Sequence, residues 1–345
     1  MFFWFLSKTH VQNTKKRLIT RSISLFIIFL SLSSCDKTTS TPIKNWQLTA
    51  EGGYAGSLSH DGKWAIISSL NNGMNVWDLT TNSQVYSWSQ QQSSSDNLVN
   101  TIKISPNNSH VLTANREDIA LWSLSSGESI GYWKVRESTI RDIAIANNGK
   151  YLLLGKTNNV VVHVNTQTGR RLEFLGHTEK INSVDISING RIAMSGGNDF
   201  IAYIWDANTG QVIFKFNHKS RVSKVALDPQ GRFAFSADSM KSAYIWDLKT
   251  GKLITTLKGT KRHEVFTTVR FSTNGKTMLT GAASSKVSLW DIRTGERVNK
   301  WHVTPKKAKR PTGAVVYSLA FSDNSNILTL SSSGYAELWQ LPIQN

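Results

Sequence analysis

The chain has 345 residues, a length that ordinarily suggests two domains, and its 40 Lys and Arg against 23 Asp and Glu give a formal net charge of +17. Its single cysteine excludes an intramolecular disulfide. Only 18% of residues are charged, twelve are Trp, and Ser, Thr and Asn are abundant, a composition suited to many short strands with polar turns rather than to helices.

The first 35 residues differ from the rest. Lys8, Lys15, Lys16, Arg17 and Arg21 form a basic lead-in without an acid, residues 23–32 are largely apolar, and Ser33-Ser34-Cys35 follows at once. A basic region, an apolar region and small residues before a cleavage point are the parts of a secretory signal. The apolar run is about half of the roughly 20 residues a bilayer-spanning helix needs. Leu32-Ser33-Ser34-Cys35 resembles the lipobox of bacterial lipoproteins, in which the cysteine is acylated and becomes the mature N-terminus. The resemblance implies removal of residues 1–34, lipidation of Cys35, and a protein held on a membrane and facing the periplasm, since two or more acyl chains anchor stably. Asp36 is similar to the residue that retains lipoproteins in the inner membrane of enteric bacteria, but Lys37 beside it leaves inner and outer membrane as open alternatives. Residues 35–43 then read as the lipidated cysteine and a short polar tether.

From residue 44 onward the chain is periodic. Trp-Asp occurs at Trp77-Asp78, Trp205-Asp206, Trp246-Asp247 and Trp290-Asp291, with degraded copies at Trp122-Ser123, Val164-Asn165 and Trp339-Gln340. Seven marks at a spacing near forty residues define seven repeats, and a repeat array can run this long as one unit. Most repeats contain an apolar strand closed by a turn rich in Asn and Gly, as at Asp61-Gly62, Asn148-Gly149, Asn189-Gly190, Gln230-Gly231 and Asn274-Gly275. Another turn falls five residues after the mark, at Asn82, Gly127, Gly169, Gly210, Gly251 and Gly295. Eleven residues after the mark, Trp88, Trp133, Leu175, Phe216, Leu257 and Trp301 predict a buried position on a fourth, outer strand. Their common phase favours packing between repeats over a carbohydrate-binding platform.

These repeats resemble the WD40 family. The resemblance covers residues 44–345 and implies an all-β fold: a seven-bladed WD40-type β-propeller of four antiparallel strands per blade. The seventh repeat has too few residues after Trp339 for its outer strand, so the segment around Trp46 is expected to pair with the last blade and close the ring. One repeat keeps the family's His, Ser, Asp and Trp set as His177, Ser195, Asp199 and Trp205, which implies a buried hydrogen-bond network rather than a catalytic triad. Another has His218 but Met240 at the Asp position, so most blades are expected to depend on packing more than on that network.

No glycine-rich phosphate loop, His-Glu-x-x-His, Gly-x-Ser-x-Gly or cysteine pair occurs, and the eight histidines lack metal-ligand spacing, so neither catalysis nor a cofactor or metal is expected. Variation in length concentrates at residues 89–99, 258–266 and 302–315, all joining an outer strand to the next inner strand. Such loops crown one face of a propeller, and variable loops on a rigid frame are where binding specificity resides. Without the five leader cations, 35 basic and 23 acidic residues remain, a net of +12. Lys258, Lys261 and Arg262 lie in one insertion and Lys306, Lys307, Lys309 and Arg310 in the next, which makes them the expected contact residues. The expected function is a membrane-anchored, non-catalytic scaffold for proteins of the cell envelope. Export argues against nucleic acid as the partner of a basic surface. The alternative is a propeller that holds a glycan or small anionic ligand as a sensor.

Overall fold

A computed structural model describes residues 41–90, 98–135, 138–261, 264–306, 313–323 and 325–342. The leader, Cys35 and the start of the tether lie outside the described residues, as do Arg262, Lys307, Lys309 and Arg310. From residue 39 on, the chain forms one compact unit.

Twenty-eight strands build seven four-stranded antiparallel sheets. The first blade contains β2 (Ala55–Leu58), β3 (Trp64–Ser69), β4 (Gly73–Asp78) and β5 (Ser83–Trp88). The second contains β6 (Thr101–Ile104), β7 (His110–Ala114), β8 (Asp118–Ser123) and β9 (Ser129–Lys134). The third contains β10 (Ile140–Ile145), β11 (Tyr151–Lys156), β12 (Val161–Asn165) and β13 (Arg171–Phe174). The fourth contains β14 (Ile181–Ile186), β15 (Ile192–Gly197), β16 (Ile201–Asp206) and β17 (Val212–Asn217). The fifth contains β18 (Val222–Leu227), β19 (Phe233–Asp238), β20 (Ala243–Asp247) and β21 (Leu253–Thr256). The sixth contains β22 (Phe266–Phe271), β23 (Thr277–Ala282), β24 (Lys286–Asp291) and β25 (Arg297–His302). The last contains β26 (Val316–Phe321), β27 (Asn326–Ser331) and β28 (Tyr335–Gln340), with β1 (Lys44–Gln47) as its outer strand.

The turns follow from residues that tolerate positive φ. Each of the predicted turn positions after the Trp mark adopts it, from Asn82 at 55° to Gly210 at 78°. The first strand of each blade touches that of the next, and β2 also touches β26, so the sheets form a closed ring around a central channel. Closure is made by backbone pairing: Lys44 lies opposite Leu338, Trp46 opposite Ala336, and the Ile43 N–H extends the ladder to the Leu338 carbonyl at 2.7 Å.

Between blades the core is aromatic. The outer-strand residue of one blade stacks on the Trp of the next, with Trp88 on Trp122 at 4.9 Å, Phe174 on Trp205 at 4.5 Å and Phe216 on Trp246 at 4.0 Å between ring centroids. Each such pair contributes about 0.5–1.5 kcal/mol beyond burial of its area. The third blade corrects the predicted phase. Leu175 is exposed, and Phe174 is the buried outer residue. The cause is a missing β-bulge. Register shifts immediately before Trp77, Trp122, Trp205, Trp246 and Trp290, whereas β12 and β13 pair without a shift, so the outer strand reaches the core one residue earlier.

Because Trp46 is buried at the closing strand, Trp46→Ala is expected to lower unfolding stability by about 3–5 kcal/mol. Deletion of residues 41–47 should in addition expose the β28 edge and promote self-association. Denaturant unfolding followed by size-exclusion chromatography checks both; an unchanged midpoint would show that the ring does not need β1.

Candidate functional site

The loops entering the sixth and seventh blades are fastened at their stems by buried carboxylates. Glu264 receives Lys286 Nζ at 2.5 Å and the Lys261 backbone N–H at 3.1 Å. Glu337, on β28, accepts the Thr304 hydroxyl at 2.5 Å and the Thr304 N–H at 3.2 Å. Burial raises the Glu337 pKa, although both bonds from Thr304 oppose the shift. The predicted contact residues fare differently. Lys261 is exposed, and Lys306 is half-buried close to Gly52, at the loop that enters the first blade. Lys258 lies beside the turn between β24 and β25, where its N–H meets the Gly295 carbonyl at 2.8 Å and its exposed ammonium pairs with Glu296 at 3.2 Å. An exposed pair of this kind contributes little to stability, but it takes up the charge.

In the fourth blade His177 Nδ1 is 2.7 Å from Asp199 Oδ2, His177 Nε2 is 2.9 Å from Ser195 Oγ, and the Trp205 indole N–H donates to Ser195 Oγ at 3.3 Å. With Asp199 ionised, Nδ1 donates to it, Nε2 accepts the Ser195 hydroxyl, and the hydroxyl oxygen accepts the indole proton. The ring nitrogens of His177, the Ser195 hydroxyl and the Trp205 indole N–H are thereby all satisfied. Burial opposes the Asp199 charge, but bonds from His177, Thr178 and Ile201 outweigh it and hold the pKa below the usual carboxylate value. Ser195 is fully buried, so its oxygen is not placed to attack a substrate.

The central channel holds the groups that sequence reasoning missed. Lys103, Asp142, Asp185, Lys224 and Arg270 project from the inner strands β6, β10, β14, β18 and β22 and line it. Asp142 accepts the Ser183 hydroxyl at 2.9 Å and the Val184 N–H at 3.2 Å, while Lys103 and Lys224 approach it at 3.8 and 3.6 Å. Burial alone would raise its pKa, yet Lys224 and Lys103 reverse the sign and keep it low. Asp185 accepts the Leu227 N–H at 2.7 Å, but burial prevails there and its pKa is raised. Arg270 Nε donates to the Leu319 carbonyl at 3.1 Å and Nη1 sits 2.7 Å from His60 Nε2. Burial lowers Arg270 to about 10, and burial together with Arg270 drives His60 to about 2, so that imidazole is neutral. Among the described residues no group of three or more His, Cys, Asp or Glu is placed to hold a metal ion.

Two stretches, residues 169–206 and 251–291, match the family model described as WD domain, G-beta repeat. Each runs from the outer strand of one blade through the Trp-Asp of the next, and the first contains the whole His177, Ser195, Asp199 and Trp205 set. These two stretches are similar to WD40 repeats. No curated protein matches the chain. The fold is a seven-bladed propeller of the WD40 type.

Outside the fourth blade only parts of the WD40 network recur. The indole N–H of the marker Trp donates to a strand hydroxyl in five blades: Trp122 to Thr113 at 3.0 Å, Trp205 to Ser195 at 3.3 Å, Trp246 to Ser236 at 2.8 Å, Trp290 to Thr280 at 2.8 Å and Trp339 to Thr329 at 3.0 Å. In the fifth blade, where Met240 stands at the Asp position, Asp238 at the end of β19 approaches the histidine without a hydrogen bond to it. Its Oδ2 lies 3.8 Å from His218 Nδ1 while Oδ1 accepts three backbone N–H groups of the following turn. The channel charges did leave a signal: each is a charged residue on an inner strand about twenty residues before the marker.

Burial lowers the His218 pKa to about 4, and the attraction of Asp238 only partly offsets it. A histidine that protonates less readily folded than unfolded contributes its full stability above the unfolded pKa of 6.5 and loses it as pH falls toward 4. The loss should reach about 3 kcal/mol. His218→Gln, which retains a side-chain amide for Ser236, is expected to flatten the difference in unfolding free energy between pH 7 and pH 4.5; an unaltered difference would remove His218 from the acid response.

Proposed function

We propose that the protein is a bacterial lipoprotein whose propeller is a non-catalytic scaffold for other proteins of the cell envelope. WD40 propellers generally serve as protein-interaction scaffolds and are typically not catalytic. The lipobox at Leu32-Ser33-Ser34-Cys35 supports cleavage after residue 34, lipidation of Cys35 and a propeller on the periplasmic side of a membrane. One observation carries the choice of binding face. The two loops that enter the sixth and seventh blades are anchored at their stems by Glu264 and Glu337, and both carry a high density of cations. A loop rigid at its base and charged along its length presents a defined surface at low entropic cost. Lys261, Arg262, Lys306, Lys307, Lys309 and Arg310 are the contact residues of this reading, with Lys258 a peripheral member already paired to Glu296. An acidic protein surface is the partner that such loops would recognise.

Two measurements test the reading separately. Cys35→Ala should release the protein from the membrane fraction of its native cells; retention there would exclude the lipid anchor. Crosslinking in intact cells, followed by purification and mass spectrometry, should capture a specific envelope protein with the wild type and lose it when Lys306, Lys307, Lys309 and Arg310 are all changed to Glu in a folded, anchored variant. Capture of the same partners by both proteins would make the basic loops a solvated surface only.

A further inference from the structure

The inner strands surround a cavity of about 130 Å³ lined by Lys103, Lys224, Arg270, Asp185, His60 and Tyr317. A water molecule takes roughly 30 Å³ of liquid, so the cavity has room for several waters or one compact ion. Its hydrogen-bonding groups are unbalanced. Lys103 and Lys224 both turn toward Asp142, but at 3.8 and 3.6 Å neither ammonium makes a hydrogen bond to it, and neither has another acceptor among the described residues. Arg270 uses Nε on the Leu319 carbonyl and Nη1 on His60, while Nη2 has no partner among the described residues. Among the described residues no carboxylate reaches ion-pair distance of the guanidinium. The acceptors are already committed: Asp142 to Ser183 and Val184, Asp185 to Leu227 and Ile186, and the Tyr317 hydroxyl donates to the Gly53 carbonyl at 2.7 Å.

Three cations with free donors thus converge on one small space from the second, fifth and sixth blades, against a single closely approached carboxylate. The two ammonium groups share one carboxylate, and an anion that takes the free donors would balance the excess positive charge. A second mouth, lined by Asn100, Arg141, Asn182 and Thr267 at the starts of the inner strands, joins the same lysines to the side where the loops enter. Arg141 is exposed there and adds a cation at the entrance.

We propose that the central channel is a binding site for a compact oxyanion, a phosphate or sulfate group, held between Lys103 and Lys224 on one side and Arg270 on the other. The site is independent of the basic loops and of the scaffold reading. The ion is either free or the terminal group of a small monoester that enters by the loop-side mouth. Donation from Arg270 Nη2 and from the two lysine ammonium groups, spread over several oxygens, suits a tetrahedral oxyanion better than a halide.

The test is thermal melting and calorimetry of the purified chain with sodium phosphate, sodium sulfate or glycerol 3-phosphate, at ionic strength fixed with chloride. At about a hundredfold excess over its dissociation constant, the bound anion should raise Tm by about 5 °C. Arg270→Gln should weaken binding at least about tenfold, and the control Lys252→Gln, at an exposed turn, should leave it unchanged. Tighter binding of glycerol 3-phosphate than of free phosphate would assign the site to a monoester, and the reverse order to the free ion. If Arg270→Gln does not fold, crystals of the wild type grown with selenate decide the matter: an anomalous peak within hydrogen-bond distance of Arg270 supports the site. The proposal is overturned if none of the three anions raises Tm above the chloride control, if Arg270→Gln binds as the wild type does, or if no selenate appears in the channel. Crosslinked partners captured in cells would be untouched by any of these results.

Discussion

Backbone hydrogen bonds between β1 and β28 convert seven separate sheets into a ring, and nearly every other contact acts within that constraint. A four-stranded sheet with an open edge exposes a row of unpaired donors and acceptors. Here the outermost strand of the last blade comes from the opposite end of the chain, and Trp46 is buried against the hydrophobic cluster shared by the first and last blades. Once the ring is closed, each blade is pressed between two neighbours. Stacking such as Phe216 on Trp246 can then hold every blade at a fixed angle.

Close packing toward the channel is set by small residues. A side chain on Gly196 would meet the Val222 methyl at 2.5 Å, and one on Gly281 would meet that of Val316 at 2.6 Å, so a valine of the next blade rests directly on the glycine at these points. This geometry narrows the ring and drives polar side chains on the inner strands into a shared space. The same rigidity reaches the loop face, where Glu264 and Glu337 fix the stems of the long loops to the sheet beneath.

The sequence exposed the architecture because its information is periodic. The Trp marks, the positive-φ turns at Gly210 and Gly251 and the strand-forming segment at Trp46 each recur or find one available place. Where a repeat changes its internal length, periodicity misleads: without a bulge in the third blade, the buried position moved from Leu175 to Phe174. A carboxylate displaced along the chain is likewise invisible, as with Asp238, which lies 3.8 Å from His218 in the blade that has Met240 at the Asp position. The channel charges escaped for a different reason. Lys103 and Lys224 belong to strands of different blades, and nothing in linear order indicates that both approach Asp142. The His177 set keeps four residues at their spacing, and their side chains are joined by hydrogen bonds.

Trp46 faces Ala336, 290 residues later in the chain, and this separation has a bearing on how the protein is made. At ribosomal rates of roughly 5–20 residues per second, the first strand waits on the order of 15–60 s for its partner to exist. Throughout that interval the last blade cannot be completed, and the chain carries an unmatched strand, with Trp46 as its one buried residue, at one end. Long-range pairing of this kind also folds slowly, because loop closure precedes the contacts that reward it. A protein of this topology therefore has a vulnerable adolescence, in which protection from proteolysis and aggregation by chaperones matters more than the stability of the finished ring.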